Sequence, residues 1–154
     1  MDYKGYCLWA DDVPNPKAPH YIVITSSANP DDMVMVVAIS SIKYKYDGSE
    51  KYYDKSCVLS VGDIVDEKGN SILTKPSFIR YEYAIDMKTK DILSKQFSDK
   101  YRYKCKISDE LLKRIQNGAK TSQELEPRFQ KYFAHLHNFS LRFGVVSNIT
   151  LSCS

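Results

Sequence analysis

Several absences narrow the reading before any residue that is present. No stretch nears the roughly 18 consecutive apolar residues of a membrane-spanning helix. The opening residues MDYKGYCLWADD lack the basic start and apolar run of a signal peptide. The four cysteines, Cys7, Cys57, Cys105 and Cys153, form no CxxC pair. Buried free thiols in a reducing, cytoplasmic setting are therefore expected, with no metal site. Walker A, dinucleotide-fingerprint, HExxH, GxSxG, EF-hand and helix-turn-helix signals are all missing, so no cofactor is expected. There is no internal repeat, no low-complexity segment and no βαβ rhythm.

What remains is an ordinary soluble composition, 43% apolar and 27% charged over 154 residues. That length suits one domain with a real core. The expected division is a single domain over 1–137 and a strand or docked tail over 138–154. The formal net charge of +3 is mild, but it is unevenly spread. Residues 1–41 hold five acids against two lysines, whereas residues 42–106 hold fourteen Lys/Arg against ten Asp/Glu. The middle of the chain thus carries a soft basic bias.

The central stretch Cys57 to Asp86 organises the rest. Cys57 to Leu59 is a short apolar run, and Ser77 to Ile85 alternates in part, so both read as strands. The polar excursion between them, ending at Lys75-Pro76, is predicted to border the functional site, because loops on a rigid sheet carry such groups. Upstream, the prolines of DDVPNPKAP exclude regular structure, and Tyr3, Tyr6, Leu8 and Trp9 pin the first segment to the domain. His20 to Thr25 and Met33 to Ile39 read as an antiparallel pair. Ile42 to Tyr46 alternates, with Lys43 and Lys45 on one side and Tyr44 and Tyr46 on the other, before a turn at Asp47-Gly48. Met87 to Asp91 reads as a turn, and Ile92 to Phe97 and Tyr101 to Ile107 as strands. In the last of these, Lys100, Arg102, Lys104 and Lys106 share one face, and Tyr101, Tyr103, Cys105 and Ile107 the other.

The period then changes. Ser108 caps a helix whose buried stripe is Leu111, Leu112, Ile115 and Ala119, with Gly118 marking its end. Thr121 and Glu124 fit a capping box for a second helix, with a stripe of Leu125, Phe129, Tyr132, Phe133 and Leu136. The economical fold is mainly β with C-terminal helices, a small antiparallel barrel with the helices outside.

Tyrosines interleaved with lysines on these strands offer stacking surfaces and phosphate contacts, the means by which proteins hold single-stranded nucleic acid. His20 opens an apolar strand and suits acid or base chemistry at neutral pH. His135 and His137 read as surface groups. Ser40 and Ser41 end the most apolar strand, at a rim. Arg80 is the sole arginine in the first hundred residues. Inside a strand, its fork has a fixed direction that suits phosphate; a partner carboxylate such as Glu82 is the structural alternative.

The segments HYIVITSS, VVAISSI, CVLSVGD, PSFIRYEYA and ISDELLKRIQNGA resemble the PemK/MazF-like group of bacterial toxins, in particular its PemK-like branch, over roughly residues 16 to 120. The resemblance implies an SH3-like barrel with a C-terminal helix, a homodimer, and an endoribonuclease neutralised by a small antitoxin protein. Carried across, the family's basic or histidine residue matches His20, with Lys17 as a stand-in. Its hydroxyl residue matches Ser40 or Ser41, and its arginine matches Arg80. The acid that accompanies the arginine in some members has no clear match; Glu82 and Asp86 are both candidates.

The implied chemistry cuts single-stranded RNA without metal. His20 deprotonates the 2′-hydroxyl or protonates the leaving 5′-oxygen, Ser40 orients the phosphate, and Arg80 stabilises the developing charge. Lys17, Ser41, Lys43, Lys45 and Lys75 are the expected RNA contacts, with Tyr44 and Tyr81 among the stacking rings. The rival reading is a non-catalytic module on the same barrel, binding nucleic acid or a protein. Convergence of His20, Ser40 or Ser41, and Arg80 in one cleft discriminates between them.

Overall fold

A computed structural model of the chain describes residues 3–10, 20–25, 31–92 and 94–133. The expectations for Lys17, His135, His137, Cys153 and the 138–154 tail lie outside the described residues. Among the described residues six strands form one antiparallel sheet: β1 (Tyr6–Ala10), β2 (His20–Val23), β3 (Met33–Ser41), β4 (Val58–Leu59), β5 (Ser77–Lys88) and β6 (Tyr101–Lys106). Their spatial order is β4-β5-β3-β2-β1-β6. The sheet curls into a half-barrel, and with the helices that follow it the fold is mixed α/β.

Both faces of the sheet are covered, which explains why β3 is a near-continuous apolar run and not an alternating one. On the inner face Ile22, Met35, Val37, Ile39, Ile79 and Tyr81 pack against α3 (Asp109–Thr121) through Leu111, Leu112, Ile115 and Ala119. On the outer face Leu8, Val23, Val34 and Val36 pack beneath Ile92, with Phe97 and Tyr101 beside them. Ser108 Oγ accepts from Leu111 N at 3.1 Å, the expected N-cap.

Four local expectations are corrected. Tyr6–Ala10 is a full strand between β2 and β6, not merely a pinned segment. Ile92 to Phe97 is not a strand: β5 runs on to Lys88, and two short helices follow, α1 (Thr89–Ile92) and α2 (Lys95–Lys100). Ser94 decides this, because its hydroxyl accepts from Phe97 N and starts α2. Gly118 lies inside α3, where Tyr81 and the Ser56 backbone approach too closely for a side chain. The Thr121–Glu124 capping box does not form: Thr121 Oγ1 bonds back to Gly118 O, and Glu124 N takes Ser122 Oγ. A short 3-10 turn at Pro127–Phe129 comes next, and helical backbone resumes at 131–133.

Two irregularities aim the side chains. In β5, Arg80 pairs with Ala38 but Ile85 with Val36, which leaves Tyr81, Glu82, Tyr83 and Ala84 opposite Val37 alone. Such a bulge bends the strand and re-aims its side chains. In β6, Cys105 pairs with Cys7 but Tyr103 with Leu8, leaving Lys104 as the extra residue. The expected face of Tyr101, Tyr103, Cys105 and Ile107 is therefore split. Tyr101 joins the outer cluster, whereas Cys105 and Ile107 enter the inner one.

Among the described residues no helix is long and apolar enough to cross a membrane. Cys7, Cys57 and Cys105 are buried free thiols.

Candidate functional site

The start of β2, the end of β3 and the start of β5 meet at one end of the sheet, since His20 pairs with Ile39, and Ile39 with Ile79. A cleft of about 660 Å³ opens around this rim. His20, Ser40, Ser41 and Arg80 all line it, together with Lys43, Lys51 and Lys75. The predicted central excursion supplies one wall through Ile72, Leu73, Thr74 and Lys75. Tyr52, Tyr53, Asp54 and Glu124 supply another.

Directly paired residues share a face of the sheet. His20 lies with Ile39 on the inner face; Ser40 pairs with Phe78, and Arg80 with Ala38, on the outer face. The three meet because the cleft wraps the rim. Among the described residues no hydrogen bond joins His20, Ser40 and Arg80 to one another.

His20 is half-buried, and its ring stacks on Trp9, its partner in β1, with centroids 6.0 Å apart and planes 14° from parallel. The ammonium of Lys104 lies 3.9 Å from the centre of the same indole, brought there as the extra residue of the β6 bulge. Trp9 Nε1 is buried and makes no hydrogen bond among the described residues. Burial, and then the nearby Lys104 charge, push the His20 pKa below its usual 6.5. A neutral imidazole at pH 7 results, able to accept a proton.

Arg80 is tethered on two sides. Its Nε donates to Glu82 Oε1 at 2.7 Å, and its Nη2 donates to Tyr83 Oη at 3.0 Å. The guanidinium also lies over the Tyr83 ring, 4.0 Å from its centre. The Glu82 partner foreseen as the structural alternative is therefore present. These contacts fix the plane of the fork while Nη1 makes no hydrogen bond among the described residues. Asp86, the other candidate acid, instead accepts from Tyr132 at 2.7 Å and pairs with Arg128 at 3.3 Å.

Ser41 Oγ accepts from Lys43 Nζ at 2.9 Å, so this lysine is held at the rim. Lys45 and Tyr44 sit just beyond the cleft, on an exposed hairpin. Tyr81 is corrected from a stacking ring to a core residue: it is 1% exposed, and its hydroxyl donates to Ile115 O at 2.6 Å. Sequence reasoning missed Tyr52 and Glu124, joined by a 2.8 Å hydrogen bond across the cleft mouth. Only the KYYDK run signalled the first, and nothing local signalled the second.

Among the described residues, five basic or imidazole groups (His20, Lys43, Lys51, Lys75, Arg80) thus line the cleft with three carboxylates (Asp54, Glu82, Glu124). Among the described residues no group of three or more His, Cys, Asp or Glu is placed to hold a metal ion. Comparison with protein-family models, curated proteins and solved structures finds no match to this chain.

Proposed function

We propose that the rim cleft binds single-stranded RNA and that the protein cleaves it as an endoribonuclease of the toxin–antitoxin kind. The observation that carries this reading is the convergence of His20, Ser40, Ser41 and Arg80, with three lysines, in one open cleft. Lysines give phosphate contacts, and an oriented arginine gives a planar fork. His20 accepts the 2′-hydroxyl proton as the 2′-oxygen attacks phosphorus. The P–O5′ bond breaks, and the departing 5′-oxygen takes a proton from water. The products are a 2′,3′-cyclic phosphate and a 5′-hydroxyl. Arg80 meets the charge growing on the phosphoryl oxygens, and Ser40 orients the phosphate. On this reading the half-barrel is an SH3-like one of PemK/MazF-like type, acting in the cytoplasm. A homodimer, and a small antitoxin protein covering the rim, are its partners.

One observation favours a second reading, binding without cleavage: Arg80 is already tied to Glu82, and no hydrogen bond links it with His20 or Ser40. The deciding experiment incubates a long mixed-sequence RNA, with EDTA present, with the wild type, Arg80→Ala and His20→Gln. Specific cuts by the wild type alone, abolished by a 2′-deoxy substitution at the cut site, support the nuclease. RNA bound but uncut by all three assigns the cleft to the binding module. No interaction with RNA at all sinks the nuclease and the RNA-binding reading together and leaves a protein as the module's ligand.

A further inference from the structure

Between Ser41 and Cys57 the chain leaves the sheet as an exposed hairpin that lies beside the cleft. It is closed by Lys51 N to Lys43 O at 2.8 Å, and it is bridged at Tyr44 and Glu50. Its turn is built in. Gly48 takes a φ of +88°, which an L side chain rarely adopts. The Asp47 carboxylate accepts from both Ser49 N, at 2.9 Å, and Ser49 Oγ, at 2.6 Å. At the far end Tyr52 is anchored to Glu124. This hairpin is prefolded, so a ligand does not have to order it.

Its tip carries a side chain with no part in the fold. Tyr46 is fully exposed and makes no ring contact or hydrogen bond among the described residues; Tyr44, two residues before it, and Tyr52, at the base of the hairpin, are exposed as well. A plain surface turn is served as well by small polar residues. Lys43 and Lys51 belong both to the hairpin and to the cleft lining, so a ligand in the cleft continues onto the arm. Successive basic groups with free aromatic faces are what a single strand needs beyond its anchoring phosphate.

We infer that the 43–52 hairpin is a stacking arm for single-stranded RNA, with Tyr46 as the platform for a base outside the cleft. The inference rests on the RNA reading above and adds where the strand runs. The arm extends the site past the reacting phosphate, so it sets the length of RNA the protein grips.

The test uses full-length protein and a labelled single-stranded RNA of about 12 nucleotides, with a second of about 4 for comparison. Tyr46→Ala is expected to weaken the longer RNA about tenfold, the loss of one base–aromatic stack, and to leave the shorter one unchanged. Tyr46→Trp restores the affinity. Quenching of a 2-aminopurine base in the longer RNA is expected with the wild type and is lost with Tyr46→Ala. If Arg80→Ala weakens binding while Tyr46→Ala does not, the arm is overturned and the RNA cleft survives. If the wild type binds neither RNA, both fall together.

Discussion

Arg80 and Glu82 sit two residues apart in β5, and their side chains meet directly, Nε to Oε1 at 2.7 Å. Residues two apart in a strand lie roughly 7 Å from each other along it, a gap that the long Arg and Glu side chains close. Both remain partly exposed, so the pair adds only about 0–1 kcal/mol to stability. Its larger effect is on a ligand, because the carboxylate competes with any phosphate for the guanidinium. Glu82→Gln is therefore expected to leave the unfolding midpoint nearly unchanged and to tighten RNA binding. A unit charge about 4 Å away in water is worth roughly 1 kcal/mol, or about fivefold in affinity. Arg80→Ala should lower the slope of log K against log salt by about 0.7, one phosphate contact fewer. Titrations by anisotropy at several salt concentrations measure both.

The His20 environment predicts a pH dependence whose sign is fixed. Burial and Lys104 hold its folded pKa below the unfolded 6.5. Between those two values the unfolded chain binds more protons than the native one, so stability rises with pH there. Stability is thus lost as pH falls through 6.5 and levels off below the folded pKa. Lys104→Met removes the repelling charge from the face of Trp9 and is expected to raise the His20 pKa and flatten this slope. NMR titration of the imidazole reads the pKa without any substrate. Under the nuclease reading, the acid limb of kcat/KM moves up by the same amount in this variant. An unmoved His20 titration in Lys104→Met contradicts the assignment of Lys104 as its electrostatic neighbour.

The parts of the fold that were legible in the sequence are those with a local cause. β3 is an unbroken apolar run because both faces of the sheet are covered, and α3 announces itself by Ser108 and by the spacing of Leu111, Leu112, Ile115 and Ala119. β1 was missed because its mixed residues become a strand only between β2 and β6, the second of which lies about ninety residues on. Ile92 and Phe97 fit a strand or two helical turns equally well, and only the Ser94 cap separates these. At the site, residue type and place in the strands marked His20, Ser40, Ser41 and Arg80 singly, and the family resemblance grouped them; the structure brings all four to one rim. Of the partners, Glu82 was legible from its place two residues after Arg80 in the same strand. The others were not: Lys104 reaches Trp9 through a register shift, and Tyr52 meets Glu124 across the fold.

A last prediction concerns how α3 seats on the sheet. Gly118 lets the helix backbone lie against β5 and the segment before β4. A Cβ there would overlap Tyr81 Oη and stand 2.9 Å from Ser56 O and 3.0 Å from Cys57 Cβ. Tyr81 cannot easily swing aside, since its ring is buried and its hydroxyl is bonded to Ile115 O. Overpacking of this kind costs about 1–3 kcal/mol, more than the helix propensity that alanine returns, about 1 kcal/mol. Gly118→Ala should therefore lower the melting temperature, by about 2–4 °C per kcal/mol in a chain of this size. Tyr81→Phe alone loses one buried hydrogen bond, about 0.5–1.5 kcal/mol. In the double variant the missing hydroxyl makes room for the new methyl, so the two costs should sum to less than their parts. The rescue stays partial, because Ser56 O and Cys57 Cβ still crowd the site. Calorimetry of the four proteins closes this cycle, and strict additivity would show that Tyr81 Oη is not what excludes a side chain at position 118.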